Sequence, residues 1–199
     1  MSDEAPGRPD VRPARTRRSP LALVLLGVVL AVTVAGGYVV AGALETPSGP
    51  PAGFPGVVVV RPLVGWAIVG RAEANGWPFV RLTRGAGNLD VAVRRGEGAV
   101  PPGPVAYANR YLDEVLRPGV EQLSVAERLE PLTLDGDRRA VRFRYAGLVP
   151  DTRAPIEGEV TVVLTSTGTG VVFDAWAPEG LLPYVVGDAR AMIGEADLA

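Results

Sequence analysis

Residues 21 to 44, LALVLLGVVLAVTVAGGYVVAGAL, run for 24 positions without a charge, and this stretch decides how the rest of the chain can be organised. At ~1.5 Å per residue such a helix reaches about 36 Å, enough to cross a hydrocarbon layer of about 30 Å with some tilt. A helix packed on a globular core shows a polar stripe, and this segment has none. It is expected to be a transmembrane helix, with the chain divided around it.

The flanks set the orientation. Arg8, Arg12, Arg15, Arg17 and Arg18 precede the span, and the first arginine after it is Arg61. The positive-inside rule then puts the N-terminus in the cytoplasm and everything after Leu44 outside, as a single-pass protein of the plasma membrane. Residues 1–20, rich in proline, arginine and acid, have too little apolar content to fold and are expected to be a disordered tail. A cleaved export signal is the rival reading. Ala41-Gly42-Ala43 fits a small-x-small cleavage site, and Arg17-Arg18 is a twin arginine ahead of the apolar run. The run is about twice the length of a signal core, and Pro20 stands where a twin-arginine signal has a large apolar residue; both favour an anchor. Ala31/Ala35 and Gly37/Ala41 have the small-xxx-small spacing through which such helices self-associate weakly, although Ala/Gly-rich segments reach it by chance as well.

A linker over 45–56 follows, with four prolines in the eleven residues 45–55. At up to ~3.1 Å per residue in extended polyproline form it spans up to about 34 Å, enough to hold an outer domain clear of the bilayer. That domain covers 57–199. Its 15 arginines against 18 acidic residues leave a net charge of −3, so no nucleic-acid footprint is expected.

The composition excludes most catalytic chemistries. The chain has no His and no Cys, and all 20 of its basic residues are arginine. Without His or Cys there is no Ser-His-Asp triad, no thiolate, no disulfide and no usual zinc site; without Lys there is no Schiff base and no P-loop lysine. No catalytic residue, cofactor or metal is expected, and packing alone must hold the outer fold.

Periodicity gives the elements. Val57–Arg61 reads as a short strand ended by Pro62, and Gly65-Trp66 leads into a second extended piece. Phe79–Arg84 and Leu89–Arg94 form a hairpin around Gly85–Asn88, with Leu89, Val91 and Val93 on one face. After a Gly/Pro loop, Val105, Ala108, Tyr111, Leu112, Val115 and Leu116 recur at three and four, an amphipathic helix opened by Pro104 and stopped by Pro118-Gly119. Glu127–Leu134 and Arg139–Leu148 make a second hairpin around Asp135-Gly136-Asp137, and Glu157–Thr165 with Val171–Ala177 a third. A last helix over 181–194 has Pro183 in its first turn and Leu182, Val185, Val186, Ala189, Met192 and Ile193 as its buried stripe. The order implies an α+β domain, an antiparallel sheet flanked by helices.

Several groupings suggest chemistry and have a plainer reading. Glu157 and Glu159 share a strand face at ~6.5–7 Å, near glycosidase carboxylate spacing, but Arg142 and Arg144 on the neighbouring strand are natural salt-bridge partners. Asp135-Gly136-Asp137 offers calcium too few oxygens and suits a turn. Thr165–Gly170 looks like a phosphate loop, yet a strand rather than a helix follows it, so it is a hairpin turn. Arg138, Arg139, Arg142 and Arg144 form the densest basic cluster. Of Trp66, Trp77 and Trp176, Trp66 is expected in the core, while Trp176, sharing parity with Asp174 and opposite Phe173, is the better surface anchor. Arg142, Arg144 and Trp176 are therefore the candidate partner-binding residues.

The element order and several local words resemble the PsbP-like superfamily, which includes the oxygen-evolving subunit PsbP, the DcrB-like bacterial lipoproteins and a small Ran-binding import factor. The words are Gly65-Trp66, the helix after a hairpin, Arg142-Phe-Arg-Tyr-Ala-Gly147, Glu157-Gly-Glu-Val-Thr-Val-Val163, Val171-Val-Phe-Asp-Ala-Trp-Ala177 and Ala191-Met-Ile193. The resemblance covers 60–199 as a pattern of elements and implies an α/β/α sandwich and a non-catalytic adaptor or assembly role. The transmembrane anchor would replace the lipidated cysteine of the lipoproteins. The expected function is an extracytoplasmic accessory domain binding an envelope protein. The alternatives are a carrier holding a lipid or small apolar molecule between helix 104–117 and the sheet, and a carboxylate-based hydrolase.

Overall fold

The computed structural model describes residues 49–96, 102–126, 128–134 and 137–199. The apolar span 21–44, the tail 1–20 and the start of the linker lie outside the described residues, as do Asp135 and Gly136. Among the described residues no helix is long and apolar enough to cross a membrane.

The domain begins earlier than the sequence suggests. Within the stretch read as linker, Ala52–Phe54 forms strand β1, which pairs antiparallel with β2, Val58–Val60. Gly53 makes this possible, since its φ of 125° is open to glycine and its Cα lies against the β2 backbone. The last strand, β11 (Asp197–Leu198), pairs with the other edge of β2 and closes a three-stranded sheet of order β1-β2-β11.

The main sheet is antiparallel. Its strands are β3 Ala67–Ala74, β4 Trp77–Arg84, β5 Gly87–Arg94, β6 Glu121–Val125, β7 Glu130–Leu134, β8 Arg138–Leu148, β9 Pro155–Leu164 and β10 Gly170–Pro178. They lie in the order β3-β4-β5-β10-β9-β8-β6, with β7 pairing the first half of β8. Two strands were not anticipated in this form. β3 and β4 are a hairpin turning on Asn75 and Gly76, both at positive φ (50° and 78°), the Asn-Gly pair a two-residue turn demands. The expected strand 127–134 is the shorter β7, and β6, ahead of it and not anticipated, shares the edge of β8 with it.

Helix α1 begins as Pro104–Tyr111, passes through a π-helical turn, Leu112–Leu116, and ends with Arg117–Gly119. In that turn the Arg117 N–H bonds to the Leu112 carbonyl five residues back. Tyr107, Ala108 and Tyr111 ahead of the turn and Leu116 at its end are buried, whereas Val105 in the first turn of the helix, expected in the stripe, is 47% exposed. Helix α2, Pro183–Gly194, buries Val185, Ala189, Met192 and Ile193 as its periodicity predicts.

Each helix covers one face of the sheet, so the architecture is an α/β/α sandwich with two cores. On the α2 face Val80, Leu82, Leu89, Val91 and Phe173 pack with Val185 and Met192; the small sheet adds Val58 and Val60, and the turn before β3 adds Trp66. On the α1 face Trp77, Val141, Phe143, Val160, Val162 and Val172 pack with Tyr107, Tyr111 and Leu116. Central strands buried on both sides account for the near-continuous apolar runs of β9 and β10.

Candidate functional site

Because α1 covers the second face, the strand positions opposite Leu89, Val91 and Phe173 are interior, and two of them are aspartates. Asp90 on β5 and Asp174 on β10 are direct cross-strand neighbours, 6% and 3% exposed respectively. Each is satisfied differently. Asp90 receives both ends of the Arg81 guanidinium, Nε at 2.6 Å and Nη2 at 2.7 Å, and the Trp176 indole N–H at 3.1 Å. Asp174 receives two phenol hydroxyls, from Tyr111 of α1 at 2.9 Å and Tyr145 of β8 at 3.1 Å.

Electrostatics follow from that difference. Burial, reinforced by the charge of Asp90, raises the Asp174 carboxyl from its ordinary 3.8 to about 7, against the opposing hydrogen bonds of Tyr111 and Tyr145. Burial, then the nearby Asp174 charge, holds both tyrosines well above their ordinary value. The hydrogen bond to Asp90 raises Arg81 further still.

These groups line a cavity of about 290 Å³ between α1 and the sheet, at the lower end of small-molecule pockets. Val115 and Leu116 of α1 and Val120 just after it line the cavity on one side, Val149 of the β8–β9 loop and Ile156 at the start of β9 on another, and Trp77, Phe79 and Trp176 line it from the sheet. A larger depression of about 560 Å³, lined by Phe54, Val57, Pro78 and Arg95, has no buried carboxylate in its wall. The smaller cavity is therefore the candidate site.

Tyr145 depends on a glycine. Its ring packs directly over Gly158 of β9, its cross-strand partner. In Gly158→Ala the new methyl would overlap the ring and its hydroxyl. Such overpacking is expected to cost about 1–3 kcal/mol in thermal unfolding, and to raise the Asp174 carboxyl further by removing a donor. Unchanged stability and titration in this variant would show that the ring has room to move.

The sequence-derived candidates do not converge. Arg142 and Arg144 lie on the α2 face, where both meet Glu159, at 3.3 and 3.0 Å. Arg190 of α2 adds a bidentate pair at 2.6 and 2.7 Å. Burial alone would raise Glu159, but the hydrogen bonds of Arg190 and Arg144 and the charge of Arg142 outweigh it and leave the carboxyl below its ordinary value. Glu157 accepts from the Gly180 N–H instead, at 3.2 Å. The two glutamates thus have separate partners and do not form a dyad. Trp176 is on the opposite face from the arginines, half-buried, with its indole on Asp90 and the Arg81 Cζ 5.0 Å above its ring. It is a cavity wall rather than a free surface anchor. Trp66 is buried as expected, donating to Asp188 at 2.8 Å. Among the described residues no cluster of three carboxylates is close enough to hold a metal.

Comparisons with known proteins identify the fold. No protein-family model matches the sequence, and no curated protein matches it. Among solved structures the chain is similar to CyanoP, the cyanobacterial PsbP of Synechocystis, with a TM-score of 0.57 and 16% identity, over 77% of this chain and 94% of that one. It is also similar to LpqN of Mycobacterium tuberculosis, a protein involved in cell envelope biogenesis, with a TM-score of 0.53 and 12% identity, over 75% and 90% of the two chains. The described domain therefore has a PsbP-like α+β fold.

Proposed function

We propose that the chain is an extracytoplasmic accessory domain of the cell envelope, tethered to the plasma membrane through 21–44, which binds a small and largely apolar ligand beneath α1. The observation that carries the binding reading is the cavity itself. It lies between α1 and the sheet and has polar groups buried in its wall beside apolar ones, the usual composition of a ligand pocket. Support for the envelope setting comes from the apolar span with its arginine flank and from the shared fold with LpqN.

The full chain, extracted from membranes with detergent and examined by native mass spectrometry, is expected to carry a bound small molecule. It should not leave the membrane in high salt alone. Val115→Trp, which fills the cavity from α1, should lose the molecule while keeping the circular dichroism of the parent. Extraction by salt would refute the tether; a bare chain, or a ligand unaffected by Val115→Trp, would refute the site.

A second reading, docking of an envelope protein, is favoured by β3. This edge strand is exposed along almost its whole length, with Ile68 and Val69 at 38% and 58% exposure, and an open edge invites pairing with another strand.

A further inference from the structure

Five of the chain's twelve aromatic side chains (three Trp, five Tyr and four Phe) line the one cavity under α1: Trp77, Phe79, Tyr111, Tyr145 and Trp176. Clustered ring faces in a desolvated pocket attract cations. Three of these rings already do so: the Arg81 Cζ lies 5.4 Å from the Phe79 centroid and 5.0 Å from that of Trp176, and the Arg94 Cζ 5.8 Å from that of Trp77.

The charges in the wall do not balance. It contains two carboxylates and one guanidinium. Arg81 is bonded to Asp90, while the oxygens of Asp174 accept hydrogen bonds from uncharged phenols. Around Asp174 stand Tyr111 from α1, Tyr145 from β8, Asp90 from β5 and, acting at longer range, Arg81 from β4; β9 contributes only Val160 as its cross-strand neighbour. A carboxylate with 3% exposure and no counter-ion bonded to it is unfavourable, and a cation entering the cavity would supply one.

Resting on the small-ligand reading above, we propose that the cavity binds a monovalent organic ammonium, its head held against Asp174 among the aromatic rings and its apolar tail along Val115, Leu116, Val120 and Ile156. The recognition needs the ionised carboxylate. Since Asp174 in the empty protein is protonated below about 7, binding below that pH expels a proton, and affinity falls about tenfold per pH unit.

The test is calorimetric titration of the full chain in lipid nanodiscs, with empty nanodiscs as blank, using hexyltrimethylammonium, 1-hexanol and hexanoate. The quaternary probe does not titrate, so its pH dependence belongs to the protein. At pH 8.5 the ammonium is expected to bind on the order of tenfold or more tightly than the alcohol, with hexanoate weakest. That advantage should shrink about tenfold per unit below pH 7 and disappear in Asp174→Asn. The pH series on the unaltered chain keeps the test decisive should Asp174→Asn fail to fold. Equal binding of ammonium and alcohol at both pH extremes, or tighter binding of hexanoate, would overturn the cation site while leaving a small-ligand cavity intact. Binding of none of the three would overturn both.

Discussion

Glu159→Gln will cost the domain about 3 kcal/mol of folding stability, read as a melting temperature about 10 °C lower. The Glu159 side chain is 2% exposed and stands between Arg142, Arg144 and Arg190, so one carboxylate ties α2 and β8 to β9. Removing its charge leaves three guanidiniums facing one another. Breaking a buried pair by removing one partner costs about 3–5 kcal/mol. The lower end applies here because Arg144 and Arg190 are 61% and 40% exposed and water takes up part of their charge. The control is Glu157→Gln two residues away, whose partner is a single backbone N–H and whose loss should be far smaller. Equal melting points for Glu159→Gln and the parent would mean that the three arginines find water without cost.

Much of this fold was legible because its helices and outer hairpins follow simple periods. α2 buries the stripe its spacing announces, and β5, β8, β9 and β10 fall within a residue or two of the apolar alternation that marks them. The failures have physical causes. β1 and β11 are three and two residues long; they exist through pairing with β2, and a span that short has no period to read. β3 has almost no buried side, so nothing selects its apolar pattern, although Asn75-Gly76 announced the turn after it. In α1 the buried face is set by Tyr107, Ala108 and Tyr111, and Val105, three residues before Ala108 in the first turn, matches the spacing while lying at the edge of that face.

The site was missed for a related reason. Alternation along 171–177 by itself reads as inside against outside, which puts Asp174 and Trp176 in solvent. Yet Val172 and Trp176 flank Asp174 on the same parity, and apolar residues on both parities are the mark of a strand covered on two faces. Asp174 was therefore a buried acid visible in the sequence, given the second covering layer. Its partners were not. Tyr111, Tyr145, Asp90 and Arg81 come from four other elements, and only the strand order β4-β5-β10-β9-β8 brings them together.

That buried acid gives the second large effect. The Asp174 carboxyl lies at about 7 in the folded chain against an ordinary 3.8, so between those limits the folded state holds a proton that the unfolded state releases. Stability from this group is complete below about pH 4, falls as pH rises through 7 and is constant above. Some three units at about 1.4 kcal/mol each make the whole change roughly 4 kcal/mol. Glu159 acts in the opposite sense: its lowered carboxyl contributes stability above its ordinary range and loses it as acid protonates the folded state. The domain should thus be most stable in mild acid. Its melting temperature at pH 5.5 is expected to exceed that at pH 8 by about 6 °C, from the roughly 2 kcal/mol accumulated between 5.5 and 7. Asp174→Asn should remove that slope and match or exceed the parent at pH 8, since the amide keeps hydrogen-bonding atoms for Tyr111 and Tyr145 without a charge to bury. A parent whose melting point is flat from 5.5 to 8, or a variant that keeps the slope, would show that Asp174 titrates in its ordinary range. If the slope is found, the empty cavity holds a group that works against its own fold at neutral pH, and a bound cation is what would offset it.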